Sequence, residues 1–416
     1  MERWHAGAGI LLSGILFSSF LCMAQEPGPT THQPDVSVVL KARCAPMRLK
    51  GDDNAILVAG DATLADQGSN YWLWRIDHDG QLSWKFSFPA NHQEEVKDMV
   101  FLKDGGVAIL GSLFATKPVA GFKTWMQMIS RNGESSEPVV MDRMGMASAL
   151  LLQEDGTFLA GGAARAESSS QGRGYDAWMV RLSADGKQEW EHFFNTGLNE
   201  RILEGLVLRD RSILWVVTAE NVDATGLSRS SILLLCCDVQ GKVLRQHLLE
   251  GPARFSGQGT HVAESPDGLI LIYSDTPVQE SVAGPGATAD HSSILLGLDL
   301  ELNVQWQTRL SGYVSMLTPV LGVTEDRELL VAGTKAAGPE LSAIKWGGEI
   351  AWTMPLSPNH DEANPIAMNV VDMAVQGRRV TLTGMATDLM KPSITEQVYL
   401  LAFSLKTRQV EWVKNY

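Results

Sequence analysis

Short apolar runs broken by tight polar turns fill the chain from residue 44 to residue 416. They alternate between two kinds of hairpin. The first is an apolar strand, a polar turn and a second strand that often ends in glycine. Examples are Val96–Leu102, Lys103-Asp104-Gly105-Gly106 and Val107–Gly111, and again Ala147–Leu152, Glu154-Asp155-Gly156 and Thr157–Gly162. Asp-Gly between apolar runs marks a hairpin, because glycine supplies the positive φ that such turns need. The second kind is a phrase: an apolar strand, a polar turn, and a tryptophan four residues past the turn glycine. It reads Ile76-Asp77-His78-Asp79-Gly80 with Trp84, and Leu182-Ser183-Ala184-Asp185-Gly186 with Trp190. Weaker copies end in Trp306, Trp352 and Trp412.

The first kind falls at about 44–61, 96–112, 147–162, 202–218, 261–274, 317–333 and 368–385. The second falls at about 71–88, 124–141, 176–194, 231–249, 293–310, 341–356 and 398–416. Seven units of four strands predict an all-β fold, a seven-bladed β-propeller of four-stranded antiparallel blades. Trp72, Trp125 and Trp178 lie 53 residues apart and open the third strand of successive units. Ile232–Cys237 and Leu269–Ile272 are apolar without alternation. Strands buried on both faces read this way, and a blade between two neighbours is so buried. A β-sandwich would alternate more cleanly. An α-solenoid would show a 3.6-residue period, which is missing.

The N-terminus adds an address. Arg3, the apolar stretch Ala6–Leu21 and Cys22-Met23-Ala24 predict a signal peptide over residues 1–24, cleaved before Gln25. A membrane anchor would want a longer apolar run. A lipoprotein signal would lipidate Cys22, but Leu21 is a poor residue before it. Residues 25–35, with three prolines, read as a flexible leader, and 36–416 as a single propeller domain. Val36–Leu40 is left over and is expected against the C-terminal blade. The expected location is exported: periplasmic, cell-surface or extracellular. No later apolar run spans a bilayer. The net charge of −14 disfavours nucleic acid. Cleavage leaves three cysteines, Cys44, Cys236 and Cys237, an odd number that argues against a disulfide framework.

Asp77-x-x-Gly80-x-x-x-Trp84 resembles the tryptophan-docking motif of quinoprotein-type propellers, the pyrroloquinoline-quinone repeat superfamily, and the match extends over about 44–416. The repeats also resemble secreted bacterial propeller-repeat proteins. The resemblance implies that the tryptophan of one blade packs on the next blade's turn. Gly80, Gly186, Trp84, Trp190, Trp306, Trp352 and Trp412 are thus expected to be structural. Glu137 and Arg245 replace the tryptophan in units two and four, and Leu302 and Arg408 replace the turn glycine in units five and seven. The quinoprotein dehydrogenases have eight blades, not seven. An enzyme of that type would take pyrroloquinoline quinone or calcium; the residues themselves call for no cofactor.

Candidate chemistry is sparse. Some quinoprotein dehydrogenases carry an adjacent-cysteine disulfide, but Cys236-Cys237 sits inside an apolar strand, which points its two sulfurs to opposite faces. His92, Glu94 and Glu95, and His360, Asp361 and Glu362, form two histidine-acid loops between units. Such groups can bind a metal or relay protons, but most polar loops are merely solvated. No nucleophile elbow, zinc motif, phosphate loop or dinucleotide fingerprint is present. Long links at 163–176, 221–230 and 276–292 predict one loop-rich face opposite a face of tight turns. The expectation is a monomeric, non-catalytic binding or scaffold protein that uses the loop face for a protein, glycan or envelope partner. The alternatives are a quinoprotein-like or calcium-dependent enzyme and an outer-membrane assembly factor.

Overall fold

A computed structural model describes residues 43–416, apart from positions 53, 65–67, 88–93, 117–119, 166–173, 223–227, 250–253, 256–259, 266, 277–291, 314–318, 327, 336–337, 357–365 and 389–395. The expected signal peptide and leader, and Val36–Leu40, lie outside the described residues.

Every described element is a strand, and strands that pair within a sheet do so antiparallel. The first sheet runs β1 (Arg43–Gly51), β2 (Ile56–Leu64), β3 (Gly68–Ile76), β4 (Leu82–Ser87). The second sheet runs β5 (Glu94–Phe101), β6 (Val107–Ala115), β7 (Gly121–Ile129), β8 (Val139–Leu152), β9 (Phe158–Ala164), β10 (Asp176–Leu182), β11 (Gln188–Phe194). The third comprises β12 (Asn199–Val207), β13 (Ile213–Val222), β14 (Ser228–Cys237) and β15 (Val243–Leu249). In the fourth, β16 (Arg254–Phe255) and β17 (His261–Ser265) both pair β18 (Gly268–Thr276), followed by β19 (Ser292–Leu298) and β20 (Val304–Leu310). The fifth holds β21 (Val320–Val323), β22 (Leu329–Lys335), β23 (Gly338–Ile344) and β24 (Ile350–Pro355). In the last, β25 (Ile366–Met368) and β26 (Asp372–Gln376) pair β27 (Arg379–Asp388), then β28 (Glu396–Ser404) and β29 (Gln409–Asn415) follow.

The hairpins stand where the apolar pattern puts them, but the expected seven four-stranded blades do not form. Five small sheets follow a four-strand path, and one sheet has seven strands. The cause is β8, which runs unbroken for 14 residues. It leaves β7 at Lys123↔Met144 and takes up β9 at Gly145↔Ala164. Met141-Asp142-Arg143-Met144-Gly145-Met146 contains no proline and no Asn-Gly or Asp-Gly pair to turn the chain. One strand therefore serves both neighbours.

The inner strands contact one another in a closed cycle: β1, β5, β8, β12, β17, β21, β26 and back to β1. The first and last sheets share no strand among the described residues, so side chains close the ring. The tryptophan phrase supplies much of that contact. Trp84 donates its indole N–H to Arg131 O at 2.9 Å and covers Gly133 in the following turn. Trp190 lies on Gly241, and Trp306 on Gly348 with its ring edge-on to Trp346. The Arg408 guanidinium sits 5.1 Å from the Trp352 ring. Trp412 closes the circle by donating to His78 O at 3.0 Å. Unit four, which lacks the tryptophan, reaches the next turn by charge instead, with Arg245 3.6 Å from Glu301.

The turns keep one geometry whatever their residue. Gly80 and Gly186 have φ of 72° and 83°, and Leu302 and Arg408 hold 70° and 54° in glycine's place. Leu302 is fully buried between sheets and Arg408 stacks on Trp352, so packing offsets the strain. Arg211, at φ 68°, has no such compensation; its exposed ion pair with Glu154 contributes little. Replacing Arg211 by glycine is expected to stabilise the fold by about 1 kcal/mol, the cost of left-handed backbone for a side-chain-bearing residue. A higher urea midpoint at unchanged slope would confirm this, and an unchanged or lower midpoint would refute it.

Candidate functional site: the axial channel

Polar residues gather where the inner strands face the axis. A bulge interrupts β1 between Pro46 and Arg48, β5 between Val96 and Asp98, and β12 between Ile202 and Glu204. Just past it, Arg48 stands opposite Ala59, Asp98 opposite Leu110, and Glu204 opposite Val216. His261 opposite Ile272 and Asp372 opposite Thr383 occupy the corresponding rung of β17 and β26. Lys50 follows Arg48 by two residues and so projects from the same face of β1.

The acids clip neighbouring sheets together. Asp98 Oδ1 accepts from its neighbour Met99 N at 2.9 Å, and Oδ2 accepts from Leu150 N of β8 at 2.8 Å. Asp372 repeats this, with Oδ1 on Met373 N and Oδ2 on Leu49 N of β1, both at 2.8 Å. Glu204 accepts in the same way from Val262 N of β17. A carboxylate that takes backbone N–H groups satisfies donors that the sheet edges would leave orphaned.

Charges from distant units feel one another across the axis. Asp98 first, and Asp372 after it, hold the Lys50 ammonium above its ordinary range against the opposing effect of burial. Burial pushes Glu204 up to about 8 although Lys50 and Arg48 oppose it. Burial, then Arg48 and Lys50, push His261 down to about 3. Burial also raises Asp372. His261 Nδ1 lies 3.6 Å from Glu204 Oε2. At neutral pH the channel wall thus presents two cations from β1 opposite a neutral imidazole and a largely protonated carboxyl. Such a set can orient an anion or a hydrogen-bonding ligand.

A second polar group lies nearer the loop-bearing end. Burial first, and Glu95 second, raise Asp61 to about 7, and its Oδ1 is buried with no hydrogen-bond partner among the described residues. Glu95 ion-pairs with Lys97. Because Asp61 titrates above the value near 4 of an unfolded chain, the folded state binds the extra proton between those values. Stability from this group is present below pH 4 and declines as pH rises through 7. Asp61→Asn is therefore expected to flatten the fall in urea midpoint between pH 5 and pH 8; an unchanged slope would refute the assignment.

Of the histidine-acid loops, only the Glu95 side chain is described, and it is held by Lys97. His92, His360, Asp361, Glu362 and the side chain of Glu94 lie outside the described residues. Cys236 and Cys237 are free thiols in two different core clusters, with burial pushing Cys237 up to about 12. Among the described residues, no three His, Cys, Asp or Glu side chains are placed to hold a metal, and no helix is long and apolar enough to cross a membrane. The channel residues escaped the sequence reading, although one trace was there. Asp98-Met99 and Asp372-Met373 are the same pair in the same apolar setting.

No family model and no curated sequence matches this chain. Solved structures do. A puromycin-hydrolysing peptidase from Mycobacterium tuberculosis shares 10% identity at a TM-score of 0.52; the match covers 90% of this chain and 54% of that one. The β-propeller domain of the trilobed protease from Pyrococcus furiosus, described as having an open velcro topology, gives 9% identity, a TM-score of 0.47, and 88% and 96% coverage. A protein of unknown function from Bacteroides caccae gives 12%, 0.43, and 70% and 90%. At such identities the likeness concerns fold alone. The protein is an all-β propeller.

Proposed function

We propose that this is an exported, monomeric, non-catalytic propeller that binds a protein, glycan or envelope partner at its loop-bearing end. One observation carries the reading: the opposite end is already committed to internal contacts. Its turns receive Arg75 on Gly105 O, Trp84 on Arg131 O, and Arg379 and Trp412 on His78 O. Lys414 and Tyr416 add bonds to Gly80 O. Turn carbonyls spent on the next sheet have little left for a partner. The connections from Val222 to Ser228 and from Thr276 to Ser292 leave from the other end, where binding residues gather in repeat folds. The docking of tryptophan on turn also supports the resemblance to the pyrroloquinoline-quinone repeat superfamily, and the N-terminal pattern supports export.

A photoreactive residue at exposed Thr196, on the loop-bearing end, is expected to give one discrete adduct in envelope and secreted fractions. The same probe at Lys187, on the turn end, is expected to give none. Adducts from Lys187 alone would overturn the assignment of the working face. So would turnover of a defined substrate abolished by one acidic substitution. Export has its own check: the mature protein is expected to begin at Gln25 by N-terminal sequencing.

A further inference from the structure

Asp98 and Asp372 on the axis have spent their oxygens on backbone amides, while among the described residues the cations beside them have no carboxylate at hydrogen-bonding distance. Arg48 Nε is 4.0 Å and Lys50 Nζ 3.8 Å from the same Asp98 Oδ1, both beyond a direct hydrogen bond. That oxygen already accepts from Met99 N, and its twin from Leu150 N. Both oxygens of Asp372 are likewise engaged, by Met373 N and Leu49 N. Arg48 donates to Met47 O through Nη1. The Arg48 and Lys50 side chains keep 35% and 44% of their surface exposed.

We propose that the axial channel binds a small oxyanion, a dicarboxylate or inorganic phosphate, between Arg48 and Lys50. Two cations on alternate residues of one strand face lie about 7 Å apart along the backbone, a span that a compact dianion can bridge. A guanidinium offers a planar fork to two acceptor oxygens, and an ammonium adds a movable point charge. His261 and Glu204, on the opposite wall, can close the shell with uncharged donors. In a protein of net charge −14, two adjacent cations held only by long ion pairs to one shared carboxylate make a local positive spot that favours an anion. Walls of protein also screen the site less than bulk salt screens a surface pair. The inference concerns the channel itself, so it stands apart from the partner at the loop-bearing end.

The test is calorimetric titration of the purified full-length mature protein with sodium succinate and, separately, with inorganic phosphate, at constant ionic strength with sodium chloride as reference. At least one of the two anions is expected to bind, and their relative affinities distinguish carboxylate from phosphate as the natural chemistry. Arg48→Gln and Lys50→Gln are each expected to weaken binding about tenfold or more, and Lys85→Gln, at an exposed cation outside the channel, to leave it unchanged. Should a variant fail to fold, the wild-type chain still decides. Lysine acetylation followed by mass spectrometry is expected to show Lys50, and not Lys85, protected by the bound anion. Binding of neither anion, protection of both lysines alike, retained binding in the Arg48→Gln/Lys50→Gln double variant, or uptake of calcium or a diamine in place of the anions would overturn the proposal.

Discussion

Asp372→Ala is expected to loosen the ring where its first and last sheets meet and to cost about 2–3 kcal/mol, the scale of losing charge-assisted hydrogen bonds to buried donors. The first and last sheets share no strand among the described residues, and Asp372 Oδ2 is the acceptor for Leu49 N across the junction at 2.8 Å. Removing the carboxylate orphans that amide and the amide of Met373 together. It also strips a counter-charge from Lys50, whose ammonium Asp372 helps to stabilise. The measurement is a urea midpoint paired with hydrogen exchange at Leu49. Exchange should accelerate at Leu49 more than at Leu150, which Asp98 holds in the same way elsewhere in the ring. Equal acceleration at both amides, or none, would show that Asp372 is not the seam's clip. Asp372→Asn retains one acceptor oxygen and should fall between the wild type and the alanine variant.

Gly111→Val is expected to cost about 3 kcal/mol, at the upper end of what overpacking a core costs. Gly111 is the cross-strand partner of Trp125, just as Gly60 is of Trp72 and Gly162 of Trp178. A Cβ at residue 111 would meet the Trp125 ring at 2.1 Å and Glu95 O at 2.7 Å. Trp125 is itself buried, so the indole has nowhere to retreat. A lowered urea midpoint, with altered near-ultraviolet dichroism from the displaced indole, is the expected readout. Gly156→Ala separates space from backbone strain. Nothing lies within 4 Å of a Cβ there, but φ is 85°, so the cost should stay near 1 kcal/mol. If both substitutions cost the same, the strand glycines serve conformation and not the seating of tryptophan.

These cases show how far local pattern carries. The Asp-Gly turns, the strand glycines and the phrase ending in Trp84 or Trp190 are local statements, and the hairpins form where they say. The docking of tryptophan on the following turn was also legible, through the spacing that the resemblance supplied. The fusion of two units into one sheet was not. It depends on β8 exchanging partners between Met144 and Gly145, and a strand carries no mark of which neighbour it will pair. The histidine-acid loops drew attention because their charges adjoin in sequence, yet of these side chains only Glu95 is described, and it is paired with Lys97.

By itself the sequence determined that this chain makes antiparallel hairpins in series, all β, with tryptophans and glycines as joints. Short apolar runs and turn chemistry act over a few residues and can be read directly. Tertiary structure alone decided how many sheets those hairpins make, and which charges meet at the axis. Arg48, Asp98, Glu204, His261 and Asp372 belong to different sheets and converge because the ring closes. Bulges before Arg48, Asp98 and Glu204 also shift the alternation by one residue, so counting along the strand misplaces the face each presents.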